Sequence, residues 1–244
     1  IRLRDNPNAN EALSLTKADA GLWILNPATS STYTGTTTIT GGALRVASSA
    51  AAVQGLSATS PLVINGGVLE TSGTFSRTLA APVAGTGTVQ LSGGASGFAA
   101  ATPARLVVSL GGGGLTWGAT NFAPTSLVLG SSTALGETEI TNAINLGTAA
   151  RTITVNNNGN TGTMVTAGIL SGVISGSAGG NLIKSGGGVL ILGNANTYTG
   201  TTTVTSGNLI VTSIGGGAGA SSLGSGSAAF IYNSGDGDLN PLMY

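Results

Sequence analysis

The chain contains no cysteine and no histidine, and only 7% of its 244 residues carry a charge. Without cysteine there is no disulfide scaffold and no thiolate zinc site, and an exported chain that crosses a membrane unfolded fits the same absence. Ordinary domains are about 25% charged, so this surface has to be covered by small hydroxyl and amide side chains. The eight basic residues, scattered singly from Arg2 to Lys184, balance eight acidic ones. A neutral chain with no basic cluster lacks the electrostatic footprint that nucleic-acid binding needs. No apolar run approaches the roughly 20 residues required to span a bilayer. Sustained 3.6-residue periodicity with caps is missing too, so helices are expected to be few or absent.

What is present is glycine, 42 residues of it, with Thr, Ser, Ala and Asn. Short β-rich runs separated by Gly, Asn and Ser recur throughout. They include Leu22–Leu25, Ala43–Ala47, Leu106–Leu110, Glu139–Leu146, Gly168–Ile174 and Asn208–Thr212. Within them apolar and polar residues alternate. Leu44 and Val46 face inward with Arg45 outward, and Leu209 and Val211 form the corresponding inward pair, so one side is buried and one is wet.

Two stretches are close copies. Leu15–Val46 and Leu182–Val211 share a Lys, a Gly before an apolar strand, Thr-Tyr-Thr-Gly-Thr-Thr-Thr, and a closing Leu-x-Val. A recurring strand-and-turn unit signals a solenoid, in which each unit buries its apolar face on its neighbours. The expectation is all-β: a single-stranded parallel β-helix running from 1 to 244 as one continuous unit. At roughly 20 residues per coil it makes about 12 coils, and at about 4.8 Å per coil the rod is about 55–60 Å long. Because the chain opens on Ile1 and enters its first repeat almost at once, it reads as a segment of a longer secreted protein.

The template resembles the autotransporter-associated β-strand repeat of bacterial passenger domains and other large surface proteins. It is carried by Lys17, Gly21, Tyr33, Gly35, Leu44 and Val46 in the first copy, and by Lys184, Gly188, Tyr198, Gly200, Leu209 and Val211 in the second. The first copy departs where Asp19 replaces a glycine and Ser31 an asparagine, and both changes concern turns. The resemblance implies a right-handed β-helix on a cell surface or in extracellular matrix, acting as a structural rod, fibre or adhesin stalk. Its partners would be other copies or further repeats, stacked on the open solenoid ends.

Other motifs are weighed against plainer readings. Ser14-Leu15-Thr16-Lys17 matches the S-x-x-K of serine acyl enzymes, but the partner motifs are missing and Asn181 stands where the second copy would need Ser. Lys17 and Lys184 are therefore read as solvated template residues. Asp236, Asp238 and Asn240 alternate like the start of a calcium loop, yet Pro241 occupies the position that needs glycine, and a polar turn is the reading preferred. Glu137 and Glu139 share a strand face; with Arg151 in the same groove they would suit polysaccharide cleavage. Trp23, Trp117, Tyr33 and Tyr198 are the rings available to stack on surface glycans. The tyrosines are read as corner residues and Trp23, aligned with Leu190, as core. The preferred function is structural and non-enzymatic without cofactors, and the alternative is a carbohydrate-binding module.

Overall fold

The computed structural model describes residues 2–8, 11–49, 52–158, 167–215, 219–225, 230–232 and 242–243. No helix occurs among them. The strands stack in parallel ladders on successive faces of one solenoid. Four strands, Leu15–Lys17, Thr37–Ile39, Leu62–Asn65 and Val89–Gly93, form the first face. The second face is the longest, nine strands from Leu22–Leu25 to Phe230–Tyr232. A third face of seven strands begins at Thr74–Ser76 and ends at Leu242–Met243. Three short strands, Leu115–Thr116, Ile144–Asn145 and Ile174–Ser175, make a further parallel ladder. One antiparallel pair, Ser48–Ser49 with Ala52–Val53, leaves the solenoid as a hairpin.

The expected coil length requires correction. Along the nine-stranded face the closest register partners are Lys184 and Val204, and the widest are Gly97 with Val128 and Thr154 with Ser185. Coils therefore take 20 to 31 residues. Nine rungs at about 4.8 Å span about 38 Å along the axis, shorter than the sequence suggested. The extra residues go into corners and excursions rather than additional rungs.

Corners also divide two runs expected to be single strands. Glu139–Leu146 resolves into Thr138–Ile140 and Ile144–Asn145, and Gly168–Ile174 into Ala167–Leu170 and Ile174–Ser175. The first break is built by Asn142, which accepts from Leu110 N at 2.7 Å and donates to the carbonyls of Gly111 and Gly113. It thereby holds two coils together at a bend. Gly172 lies directly above, where a Cβ would fall 2.1 Å from Asn142 O, so only glycine fits.

Inside runs one continuous stack of Leu, Ile, Val and Phe from Ile39 to Val211. Period-two alternation supplies it: Leu44, Val46, Leu209 and Val211 all point inward and are buried. Phe75 and Phe98 meet with ring centroids 5.3 Å apart. A smaller cluster of Val68, Ala99, Val128 and Ala134 lies apart from this main core.

Candidate functional site: the repeated corner and its charged neighbours

The two template copies build the same corner, and its centre is the lysine. Lys17 Nζ donates to the carbonyls of Ala18 at 2.5 Å, Asp19 at 2.8 Å and Gly41 at 3.0 Å. Lys184 Nζ donates to those of Ser185 at 3.0 Å, Gly186 at 2.6 Å and Ser206 at 2.7 Å. The acceptors are aligned position for position between the copies. Both lysines are completely buried, which corrects the reading of them as solvated. The reason is stoichiometric: a bend leaves backbone carbonyls pointing inward, and an ammonium carries three N–H donors to match three of them. Two acceptors belong to the lysine's own turn and the third to the next coil, so each lysine ties adjacent coils. Thr40 N and Thr205 N complete the joint, each donating to its lysine's carbonyl at 2.8 Å.

A residue in the left-handed region is needed two positions after each lysine. Gly186 takes it with φ of 76° and Asp19 with φ of 64°, the only positive-φ non-glycine among the described residues. The first copy thus keeps the turn geometry despite its substitution. Aspartate tolerates this region better than most side chains.

Each tyrosine is fully buried and reaches the hydroxyl four residues ahead. Tyr33 Oη lies 2.7 Å from Thr37 Oγ1, and Tyr198 Oη lies 2.5 Å from Thr202 Oγ1. Burial pushes the Tyr198 phenol up to about 12, with the Thr202 bond opposing it. The glycine between them is forced by contact. A Cβ on Gly35 would sit 2.4 Å from Leu13 O, and one on Gly200 would sit 2.4 Å from Asn181 Oδ1. Gly21 has open space around the place a Cβ would take, whereas Gly188 exchanges backbone bonds with Val155 and Asn208. Ser14 is exposed at a strand entry while Lys17 points inward, so the two do not share the face that an acyl-enzyme pair needs.

The copies do not occupy the same faces. Strands Leu15–Lys17 and Leu22–Leu25 lie on the first and second faces, whereas Leu182–Ser185 and Val189–Leu192 lie on the second and third. Trp23 belongs to the outermost rung of the second face and is 44% exposed, which overturns its assignment to the core. Its aligned partner Leu190 is 0% exposed, covered by strands on both sides. Trp117 is buried, donating Nε1–H to Pro124 O at 2.8 Å and packing edge-on to Phe122.

The proposed acid pair does not meet Arg151. Arg105 takes both carboxylates, with Glu137 at 2.8 Å and Glu139 at 3.1 Å, and the Glu137 bond foremost raises the Arg105 pKa. Arg151 instead caps the carbonyls of Leu146 and Trp117 and lies over the Trp117 ring.

A polar cluster that the sequence reading missed surrounds Glu70, which is fully buried. Its carboxylate accepts from Arg45 Nε at 2.7 Å and Ser131 Oγ at 2.5 Å, and also from Thr133 Oγ1. Ser131 and Thr133 follow the strand two rungs further along the second face, so this turn folds back as a strap. Glu70 lies between Leu69 and Thr71 at the outward position in register with Arg45, and no local signal announces a partner 61 residues away.

Asp236, Asp238 and Asn240 lie outside the described residues. Among the described residues no cluster of three or more acidic side chains is placed to hold a metal ion.

Residues 15–46 and 182–211 match the family model of the passenger-associated-transport-repeat, the two stretches that form the equivalent corners. No curated protein and no solved structure matches the chain.

Proposed function

We propose that this chain is a load-bearing rod segment of a secreted or surface-attached bacterial protein, working in a fibre, matrix or adhesin stalk. The repeat match at residues 15–46 and 182–211 supports export to the cell surface. The observation that carries the mechanical reading is the end rung. Trp23 is 44% and Ile24 58% exposed at positions where the second copy holds Leu190 and Ile191 between flanking strands. Trp23 stands where the second copy has a core residue, and Ile24 beside it is an apolar residue on the outward side, in register with Arg45; an unpaired parallel edge with such apolar side chains on it is a surface made to receive another coil. The occupant is a further coil of the same type, from a second copy or from continued repeats.

The work of such a rod is done by backbone bonds running along its axis, by the stacked core, and by the lysine joints that tie one coil to the next. Several of its ionisable groups are engaged in structure: Lys17 and Lys184 on carbonyls, Glu70 on Arg45, and Glu137 and Glu139 on Arg105. That engagement favours a structural role over catalysis. Glycan binding through a row of rings is disfavoured, because of the four candidate rings Tyr33, Tyr198 and Trp117 are buried and Trp23 is exposed.

Electron microscopy and sedimentation of the purified chain at rising concentration test the proposal. End-to-end filaments with an axial repeat near about 4.8 Å per coil, weakened by Trp23→Asp, are expected. A chain that stays monomeric up to millimolar concentration overturns it.

A further inference from the structure

The third face starts abruptly. Its first strand, Thr74–Ser76, pairs only with Leu106–Ser109. Val107 N donates to Gly73 O and Arg77 N to Ser109 O. In a parallel ladder the alternate residues bond the neighbour, so the N–H and C=O of Thr74 and Ser76 point the other way. Among the described residues they find no hydrogen-bond partner there. This edge does not lie at the end of the rod, because two earlier coils extend beyond it on the first and second faces.

The gap has a structural cause. After strand Ala43–Val46 the chain spends residues on the Ser48–Val53 hairpin, and then turns through Ser57–Ser60 instead of laying a strand beneath Thr74–Ser76. What remains is a cleft of about 530 Å³, lined on one side by Thr74, Ser76 and Arg77 and on the other by Ser30, Ser31 and Ala58. The volume falls within the roughly 300–1,000 Å³ typical of ligand sites. At about 3.3 Å per residue, an extended segment of about four residues matches the length of the edge.

Arg77 is the one charged residue in the lining. Its guanidinium donates to the carbonyls of Ser60 at 2.5 Å and Ser57 at 2.8 Å and lies over Phe75, and no carboxylate among the described residues pairs with it. Burial pulls its pKa down to about 10. A half-buried cation left without a counter-ion is an incomplete arrangement. Two of its five N–H groups are used on the carbonyls, which leaves donors for an anion.

The geometry points to a peptide-docking site: an extended acidic peptide adds as a strand to the Thr74–Ser76 edge and sets a carboxylate against Arg77. Main-chain bonds to Thr74 and Ser76 give affinity that is indifferent to sequence, and Arg77 supplies the selection for acid. The site is separate from the end-stacking surface, which involves the outermost rungs.

The test uses the full chain and the pentapeptide acetyl-Thr-Val-Asp-Val-Thr-amide, with Asn replacing Asp as the control. Titration calorimetry measures binding, and hydrogen exchange by mass spectrometry follows residues 72–78. Binding of the Asp peptide about tenfold or more tighter than the Asn peptide is expected, with slowed exchange at Thr74 and Ser76. Arg77→Gln should abolish the preference. Ser76→Pro should weaken both peptides about tenfold, because it removes an N–H that faces the cleft and takes no part in the ladder. Circular dichroism confirms that each variant is folded. The proposal is overturned by equal binding of the two peptides, by affinity unchanged in Ser76→Pro, or by a galacturonate trisaccharide that binds more tightly than the peptide and ignores Ser76→Pro. End-to-end assembly is measured separately with Trp23→Asp, so failure of the rod reading and failure of this one remain distinguishable.

Discussion

Replacing Lys184 by Met keeps the apolar stem and removes only the ammonium. In many buried ion pairs such a change is neutral or stabilising, because both charged partners are exchanged for apolar groups. Here the partners are backbone carbonyls of Ser185, Gly186 and Ser206, which no side-chain substitution can take away. Three inward acceptors lose a charged donor within a fully buried site. A hydrogen bond to a charged group contributes about 1.5–3 kcal/mol, and an orphaned buried acceptor costs about 1–3 kcal/mol. Allowing for relaxation and for the recovered desolvation of the ammonium, the expected loss is about 3–5 kcal/mol. Lys17→Met provides the internal comparison. Its carbonyl cage is the same and equally buried, but strand Leu15–Lys17 is the outermost rung of its face, held by a ladder on one side only, so it can relax and let water reach the carbonyls once the ammonium is gone. The loss there should be about half as large. Urea unfolding followed by circular dichroism measures both, and hydrogen exchange at Thr205 and Thr40 reports the local joint. A loss below about 1 kcal/mol for Lys184→Met would refute the argument that the lysine satisfies the corner.

Gly200→Ala places a methyl 2.4 Å from Asn181 Oδ1 and 2.5 Å from Gly180 O; a destabilisation of about 2–3 kcal/mol is expected, readable as a lower urea midpoint. Thr138→Val acts in the opposite direction, since Thr138 Oγ1 is buried without a partner among the described residues. Removing that hydroxyl from a fully buried strand position should raise stability by about 1 kcal/mol in the same assay. The Tyr198 phenol, held near 12 in the folded chain, ionises near 10 when unfolded. The unfolded state alone therefore loses its proton between those values, and the contribution is full below pH 10 and disappears as pH rises through 12. Two pH units correspond to about 2.7 kcal/mol at most. The stability advantage of the native chain over Tyr198→Phe should shrink between pH 9 and pH 11.5, and a constant difference would count against it.

Much of the architecture was legible because it is periodic. Leu44, Val46, Leu209 and Val211 announce their inward face through alternation, and the shared Thr-Tyr-Thr-Gly-Thr-Thr-Thr announces a repeated unit. Coil length was not legible, because residues spent in the hairpin at Ser48–Val53 or in the strap at Ser131–Thr133 look locally like the strands and turns of an ordinary coil. The lysines were misread for a different reason. In isolation a Lys on a strand belongs in water, and the carbonyls that hold Lys17 and Lys184 become visible only once the next coil lies beside them. Trp23 was misread in reverse: its sequence position is that of a core residue, and exposure comes from its place in the stack.

The change of faces between the copies says what the repeat encodes. If the template specified a face, both copies would lie on the same pair of sheets, yet the first spans the first and second faces and the second spans the second and third. The elements common to both sit at the two ends of one strand pair: the lysine cage and the left-handed residue at Asp19 or Gly186 at its exit, and the buried Tyr–Thr pair and the close-packed glycine at its entry. The template is a corner with two strands attached, and it operates wherever the solenoid needs a tight bend. This explains how coils between 20 and 31 residues long coexist on one axis. Register is held by backbone ladders between neighbours and by a corner that ties coil to coil, so insertions on the other sides accumulate without disturbing either. The open third-face edge at Thr74–Ser76 arises from the same tolerance: a coil that omits one strand still stacks on the faces where its corner holds.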